Sequence, residues 1–162
     1  LLSAILGGGV SSRLFQQVRE QQGLCYSIYS YGAGHAETGV FCIYTALNKE
    51  TEAKALATIR RVIDDFLAKG PTTEELERAR EQSKANVIMG LESTQSRMSH
   101  AGRSLLFSGE ILTPEQIIDA YDRVTREDVV ALAQEIFAWD RASLSAVGQV
   151  RTAEEYRQLV LG

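Results

Sequence analysis

The chain has 162 residues, of which 44% are hydrophobic and 23% are charged, and these fractions are typical of a globular domain. They exclude an intrinsically disordered chain, which combines low hydrophobicity with high net charge. The net charge of −4 gives no general attraction for phosphates, so we expect no nucleic-acid partner. No stretch approaches the roughly 20 apolar residues that cross a bilayer, so we expect no membrane partner. We expect residues 1–162 to form a single domain.

The chain opens with an apolar run from Leu1 to Leu6 that is typical of the end of a helix. Gly7, Gly8 and Gly9 then form a stop signal. Six residues cannot sustain a helix alone in water, so we expect the chain to be cut from a longer protein. Any targeting segment would then lie outside it, and a cytoplasmic location is the default expectation.

The next segment predicts a short helix. Ser11 is a suitable N-cap, and the helix would run as far as Gln22. Gly23 is a suitable end signal for it. The apolar stripe of this helix would consist of Leu14, Phe15 and Val18.

The segment from Leu24 to Leu47 predicts a β-hairpin. Its apolar residues recur with a period of two, and glycines and polar residues separate its halves. The length of that middle part indicates a long or bulged connection. Strict alternation places Tyr26 and Ile28 on one face, and the opposite face then holds Ser27, Tyr29 and Tyr31.

The rest of the chain is mainly helical by its three- and four-residue apolar spacing. Capping signals predict helix starts near Thr72, Thr113 and Thr125. Residues 142–147 alternate and predict a third strand, and residues 154–161 predict a terminal helix. This order predicts an α+β fold in which several helices pack on one face of a mixed or antiparallel sheet. Three strands leave much sheet edge exposed, so we expect a first strand to be missing through truncation.

Histidine and cysteine give no sign of a metal site. The only histidines, His35 and His100, have no second His or Cys at zinc-ligand spacing. Cys25 and Cys42 lie on the two predicted strands and could approach each other. Buried free thiols are the better prediction for a chain with so few cysteines.

Two features are candidates for binding. The Gly7–Gly9 run resembles a phosphate-binding loop without its lysine spacing, so a hinge and a close approach to a substrate chain both stay open. Arg19 and Tyr26 lie seven residues apart across a helix stop. Each alone is ordinary, as a solvated helix-end cation and a strand aromatic. Together they could donate hydrogen bonds to a peptide carbonyl and to a developing oxyanion.

Two adjacent segments carry a family resemblance. Residues 7–15, GGGVSSRLF, and residues 18–27, VREQQGLCYS, resemble the C-terminal half of the pitrilysin/insulinase family of zinc metallopeptidases, which includes the mitochondrial processing peptidases and insulin-degrading enzyme. Weaker similarity continues through residues 73–79, 91–99 and 144–148. Members of this family have two similar halves that enclose a chamber, and only one half carries the inverted H-x-x-E-H zinc motif.

The resemblance implies roles for named residues. Arg19 and Tyr26 match the substrate-contacting pair of the metal-free half, with Tyr26 as the catalytic group that stabilises the oxyanion. Gly7, Gly8 and Gly9 would line the path by which the substrate reaches this pair. His35 is followed by Ala-Glu-Thr-Gly, so this chain has no H-x-x-E-H.

The same resemblance implies partners. We expect no cofactor in this chain, and we expect zinc in a partner half that is either fused upstream or a separate subunit. The resemblance also implies a peptide substrate. Because the metal half is needed for hydrolysis, the chain alone is predicted to be inactive as a peptidase.

Two other functions stay open. The family also supplies non-catalytic scaffold subunits, such as the core proteins of a respiratory complex. A dimerising domain without a ligand is the third hypothesis, in which the exposed sheet edge pairs with a second copy to form a homodimer. An intact H-x-x-E-H in the other half would favour the enzyme, and a degenerate motif would favour the scaffold.

Overall fold

The computed structural model describes residues 1–35 and 37–161 of the chain. In this part an antiparallel hairpin packs against helices, which confirms the predicted α+β fold. The strands are β1 (Cys25–Gly34) and β2 (Gly39–Leu47), and the α-helices are α1 (Leu2–Gly7), α2 (Glu52–Lys69), α3 (Thr73–Gly90), α4 (Thr94–Ser108), α5 (Pro114–Arg123), α6 (Arg126–Ile136) and α7 (Ala153–Leu161). A π-helix (Phe15–Glu20) and a short 3₁₀ helix (Trp139–Arg141) complete these elements.

The hairpin has one buried face and one exposed face. Burial alternates along β1: Ile28 and Ser30 are buried, whereas Tyr29 and Tyr31 are exposed. Helix α1 lies against the buried side, where the Ser3 hydroxyl donates to the Ser30 carbonyl oxygen at 2.8 Å. The helices therefore pack on one face of the hairpin, as predicted, and leave the other face open.

The core lies between the buried hairpin face and helices α1, α2 and the π-helix. Burying one large aliphatic or aromatic side chain stabilises the fold by about 1.5–3 kcal/mol, so this cluster holds the site-bearing segments together. Its most completely buried side chains are Leu6, Leu14, Val18, Val62, Ile63 and Phe66.

Local capping explains why the helices begin where they do. The Thr72 hydroxyl accepts from the Glu75 backbone N–H at 3.1 Å, and the Glu75 carboxylate accepts in return from the Thr72 N–H. Thr125 forms the same reciprocal pair with Asp128 at the start of α6. Thr113 forms one with Gln116 at the start of α5. These caps satisfy donors that the first helical turn leaves free, and they confirm the three predicted helix starts.

The predicted strand over residues 142–147 is wrong. These residues are exposed and irregular, and Val147 is fully exposed. The alternation of Ala-Ser-Leu-Ser-Ala-Val suits a strand, but a strand forms only where a neighbour supplies ladder hydrogen bonds. In the described part of the chain, β1 and β2 pair only with each other.

The first predicted helix also needs correction. The helix begins at Arg13 rather than directly after Ser11. The Ser12 hydroxyl, just before the helix, donates to the Gly9 carbonyl oxygen at 2.6 Å. From Phe15 onward the helix is a π-helix. In a π-helix each backbone N–H donates to the carbonyl oxygen five residues earlier instead of four. Helix-forming residues suit both helix types, so the sequence does not distinguish them.

Large apolar side chains are exposed on the outer helices. Ile88 and Met89 at the end of α3 are more than half exposed, and so are Leu106 and Phe107 on α4. Helix α4 has no buried residue at all among its 15 positions. None of the described helices is both long enough and apolar enough to cross a membrane.

Candidate functional site: the Arg19–Tyr26 segment

Arg19 lies on the π-helix. Its turn closes through a bond from the Gln21 backbone N–H to the Gln16 carbonyl oxygen, 2.9 Å long and five residues apart. The Arg19 guanidinium lies 4.6 Å above the centre of the Phe15 ring, which holds the charged group by a cation–π contact. Within residues 1–35 and 37–161, no carboxylate forms an ion pair with Arg19, which is half-buried. Single π-helical turns are frequent at functional sites.

A short, well-bonded bend connects Arg19 to the first strand. Gly23 takes a φ of +60°, a left-handed conformation that favours glycine. Its N–H donates to the Arg19 carbonyl oxygen at 2.9 Å, and the Leu24 N–H donates to the Val18 carbonyl oxygen at 3.0 Å. The Thr51 hydroxyl donates to the Leu24 carbonyl oxygen at 2.9 Å. These bonds fix the position of Arg19 relative to the start of β1.

Tyr26 occupies a β-bulge. Cys25 pairs with Leu47 and Ser27 pairs with the next residue, Ala46, so Tyr26 is an extra residue without a partner. A bulge of this kind shifts the alternation of side chains along its strand. The predicted sharing of a face by Tyr26 and Ile28 is therefore wrong: Tyr26 is 83% exposed and Ile28 is 4% exposed.

The charge of Arg19 reaches the start of β1. Burial raises the pKa of the Cys25 thiol, while a hydrogen bond with Thr45 and the positive charge of Arg19 oppose this increase. The backbone hydrogen bonds of the Gly23 bend place Arg19 beside the start of this strand, where Cys25 directly precedes Tyr26. The structure thus brings the Arg19 charge to the same end of the hairpin as the Tyr26 phenol.

The two cysteines do not meet. Cys25 lies opposite Leu47, whereas Cys42 lies opposite Tyr31, so five residues of β2 separate their positions, or about 17 Å at 3.4 Å per residue. Both thiols are free and half-buried, which confirms the prediction of free thiols and corrects their predicted burial.

The glycine run divides into two parts. Gly7 is buried, and a Cβ atom placed on it would lie 2.3 Å from the Ser30 backbone nitrogen. Only glycine allows α1 to approach β1 this closely. Gly8 and Gly9 are exposed. A Cβ on Gly8 would lie 2.5 Å from the Ala4 Cα atom, whereas nothing lies closer than 3.9 Å to a Cβ on Gly9. The close approach at Gly7 is therefore to β1, while the predicted contact with a substrate remains open at Gly8 and Gly9.

Arg13 anchors the start of the π-helix. Its Nε and Nη2 atoms donate to the two carboxylate oxygens of Glu75, each at 2.7 Å, and Nη2 also donates to the Gly70 carbonyl oxygen at 2.8 Å. The guanidinium lies 4.9 Å above the Phe66 ring. Sequence reasoning missed this contact, because Arg13 and Glu75 are 62 residues apart and only the folded chain brings them together.

A small cavity lies beside the glycine run but apart from the Arg19–Tyr26 segment. Its volume is about 90 Å³, and residues from Gly9 to Ser12 and from α3, including Arg78 and Gln82, line it. Neither Arg19 nor Tyr26 is among its lining residues. The pair therefore lies outside this cavity, with Tyr26 exposed at the surface.

Zinc does not fit the described residues of this chain. Residues 1–35 and 37–161 contain no group of three or more His, Cys, Asp or Glu side chains that could hold a metal ion. The Nε2 atom of His100 lies 2.9 Å from the Leu112 carbonyl oxygen, so this ring has a structural contact. His35 lies just after β1, in the hairpin connection.

Fold and site together define an α+β domain in which a half-buried arginine and an exposed tyrosine lie at one end of a hairpin. The family model described as "Peptidase M16 inactive domain" matches residues 1–83, from α1 into α3, and includes Arg19 and Tyr26. The chain belongs to the peptidase M16 inactive domain family, which confirms the predicted resemblance to a zinc metallopeptidase half.

Similar proteins agree with this assignment. An uncharacterized zinc protease of Streptomyces coelicolor is 36% identical over 97% of this chain, and one of Bacillus subtilis is 38% identical over 88% of it. The chain spans about a third of the length of these relatives, 34% and 35% respectively.

Solved structures share the fold. A peptidase M16 inactive domain from Pseudomonas fluorescens matches 84% of this chain and 32% of its own, with a TM-score of 0.75 and 26% identity. A chain of complex III from Candida albicans matches 83% of this chain and 34% of its own, with a TM-score of 0.72 and 19% identity. The second likeness concerns the fold alone.

Proposed function

We propose that this chain is the substrate-binding, chamber-completing half of a zinc-dependent metalloendopeptidase. One observation carries the proposal: two local irregularities, the π-helix at Arg19 and the bulge at Tyr26, lie at one end of the hairpin and carry a half-buried guanidinium and an exposed phenol, both hydrogen-bond donors. Irregular turns of both kinds are frequent next to active sites.

Arg19 would hold the substrate backbone. Its guanidinium rests on the Phe15 ring and has no ion-pair partner among the described residues, so its fork of N–H donors can bind a peptide carbonyl without first breaking an ion pair. The hydrogen-bonded bend at Gly23 keeps this group in place, which reduces the entropy lost on binding.

Tyr26 would act on the reacting carbonyl. Its exposed phenol donates a hydrogen bond to the oxygen of the scissile peptide bond, and this bond strengthens as negative charge develops there. Because the bulge holds Tyr26 outside the regular pleat, its position does not depend on a cross-strand neighbour. The zinc of the complete enzyme belongs to the other half in this proposal.

The exposed apolar residues support a partner. Leu106 on α4 is 82% exposed, and a surface of this kind favours contact with another domain. The chain also spans only about a third of its curated relatives. We propose that the zinc-bearing half covers part of this surface and closes a chamber over the Arg19–Tyr26 segment.

Peptide hydrolysis by the full-length protein tests the proposal. We expect cleavage of unstructured fluorogenic peptides, and we expect that an Arg19→Ala, Tyr26→Phe double variant of normal thermal stability loses nearly all of it. A scaffold subunit would not cleave any peptide, and full activity in the double variant would contradict the role of this half.

A further inference from the structure

The exposed face of the hairpin carries a cluster of tyrosines that the proposed roles of Arg19 and Tyr26 do not use. The rings of Tyr29 and Tyr44 stack with their centres 4.9 Å apart, and the centres of the Tyr29 and Tyr31 rings are 6.1 Å apart. All three side chains are nearly half exposed. We call these three residues the tyrosine face.

The strands that carry the tyrosine face are uncharged, although Arg103 of α4 lines a cavity together with Gly32 at the tip of the hairpin. Strands β1 and β2 contain no Asp, Glu, Lys, Arg or His. The tyrosine face alternates with the buried residues Ile28 and Ser30, so it lies on the side of the hairpin away from α1. No residue of these strands can pair with a carboxylate, so burying an acidic side chain against the tyrosine face is costly and this face disfavours acidic ligands.

Tyrosine rings suit one kind of occupant. A stacked pair offers a flat apolar surface for another aromatic ring, and each phenol can still exchange a hydrogen bond with a peptide amide. We propose that the tyrosine face is a substrate subsite that binds a peptide segment carrying an aromatic side chain and no acidic one. This inference rests on the proposed function, because Tyr26 lies on the same strand and would mark the position of the cleaved bond.

The strand spacing predicts where the aromatic residue would stand in the substrate. Tyr29 and Tyr31 follow Tyr26 by three and five residues, or about 10 and 16 Å at about 3.3 Å per residue. A peptide extended along β1 has nearly the same rise. Its aromatic side chain would therefore lie about three to five residues from the cleaved bond.

A positional peptide series tests the subsite in the full-length protein. Peptides of one sequence carry a single Trp at successive positions, and a matched set carries Asp there. We expect kcat/KM to be about tenfold higher for Trp than for Asp three to five residues from the cleaved bond, and nearly equal elsewhere. The same peptides, carrying a fluorescent label, are then tested for binding by fluorescence anisotropy, which does not require cleavage. We expect a lower Kd for Trp than for Asp at the same positions.

Variants assign the preference to these rings. Tyr29→Thr with Tyr44→Thr removes the stacked pair but keeps side chains that favour strands, and we expect the Trp-to-Asp ratio to fall to near one. Tyr44→Phe keeps the ring and is expected to keep most of the preference. Tyr121→Leu, on α5, is the control and is expected to leave the ratio unchanged. If the double variant melts below the assay temperature, Tyr31→Thr carries the same test.

The outcomes separate this inference from the proposed function. A folded double variant that keeps the full Trp preference overturns the subsite, and so does a wild-type protein with no preference in either assay. The subsite can also stand while the proposed function fails. In that case the binding preference measured by anisotropy depends on the tyrosines, but the protein does not cleave peptides or cleaves them equally well after Tyr26→Phe.

Discussion

Both carboxylate oxygens of Glu75 accept a hydrogen bond from the guanidinium of Arg13, each at 2.7 Å. The same carboxylate accepts from the Thr72 backbone N–H at 2.8 Å and so also caps α3. One side chain therefore joins the start of the π-helix to the start of α3. The segment that carries Arg19 is positioned through this contact as well as through its apolar core.

The Glu75 contact predicts a pH-dependent stability. Burial raises the pKa of Glu75, but its hydrogen bonds with Arg13 and Thr72 outweigh burial and lower the pKa below its ordinary value of 4.5. A carboxylate with a lowered folded-state pKa stabilises the fold above its unfolded pKa, and this contribution is lost as pH falls through the folded value. We expect the free energy of unfolding to decline below about pH 4.5 partly for this reason.

Glu75→Gln isolates this contribution. At neutral pH we expect the variant to lose about 1.5–3 kcal/mol of unfolding free energy, the range for hydrogen bonds to charged groups, and to approach the wild type on acidification. Urea unfolding followed by circular dichroism from about pH 7 to about pH 3 measures both curves. Glu74→Gln is the control, since that side chain is 89% exposed. Parallel curves for wild type and Glu75→Gln would contradict the account.

The close approach of α1 to β1 predicts a steric effect. Gly7→Ala places a methyl group against the Ser30 backbone nitrogen, which neither backbone can avoid without moving. We expect a loss of about 1–3 kcal/mol in the free energy of unfolding, typical of overpacking. Gly9→Ala meets no atom closer than 3.9 Å and serves as the matched control. Equal stability of the two variants by urea unfolding would show that the Gly7 contact is not needed.

Arg19→Lys tests the binding role of the guanidinium. Lysine keeps the charge but loses the planar fork and the flat contact with the Phe15 ring. We expect KM for peptides to rise about tenfold with little change in kcat, because the lost bond acts on ground state and transition state alike. Steady-state kinetics of the full-length protein measure this, with Arg61→Lys on the exposed side of α2 as control. An unchanged KM would remove Arg19 from the substrate site.

Local chemistry made the helix starts predictable. A threonine and the acidic or amide residue three positions later cap each other whatever surrounds them, so Thr72, Thr113 and Thr125 could be located from neighbouring residues alone. The hairpin was predictable for a related reason, since its two-residue period reflects one buried face.

Features set by distant contacts could not be predicted. Whether residues 142–147 form a strand depends on a partner elsewhere, which alternation does not reveal. The extra residue at Tyr26 is visible only once the pairing of Cys25 and Ser27 with β2 is known. The π-helix at Arg19 uses ordinary helix-forming residues. The family resemblance therefore predicted which residues form the candidate site, but it did not predict their geometry.

The most direct measurement of the central claim is kcat for Tyr26→Phe in the full-length protein. This change removes one hydroxyl and keeps the ring, so the fold and substrate binding are expected to stay intact. We predict that kcat falls about 10²-fold, the scale for losing one oxyanion donor, while KM changes little and Tyr121→Phe on α5 retains full activity. A kcat equal to that of the wild type would contradict the role assigned to Tyr26.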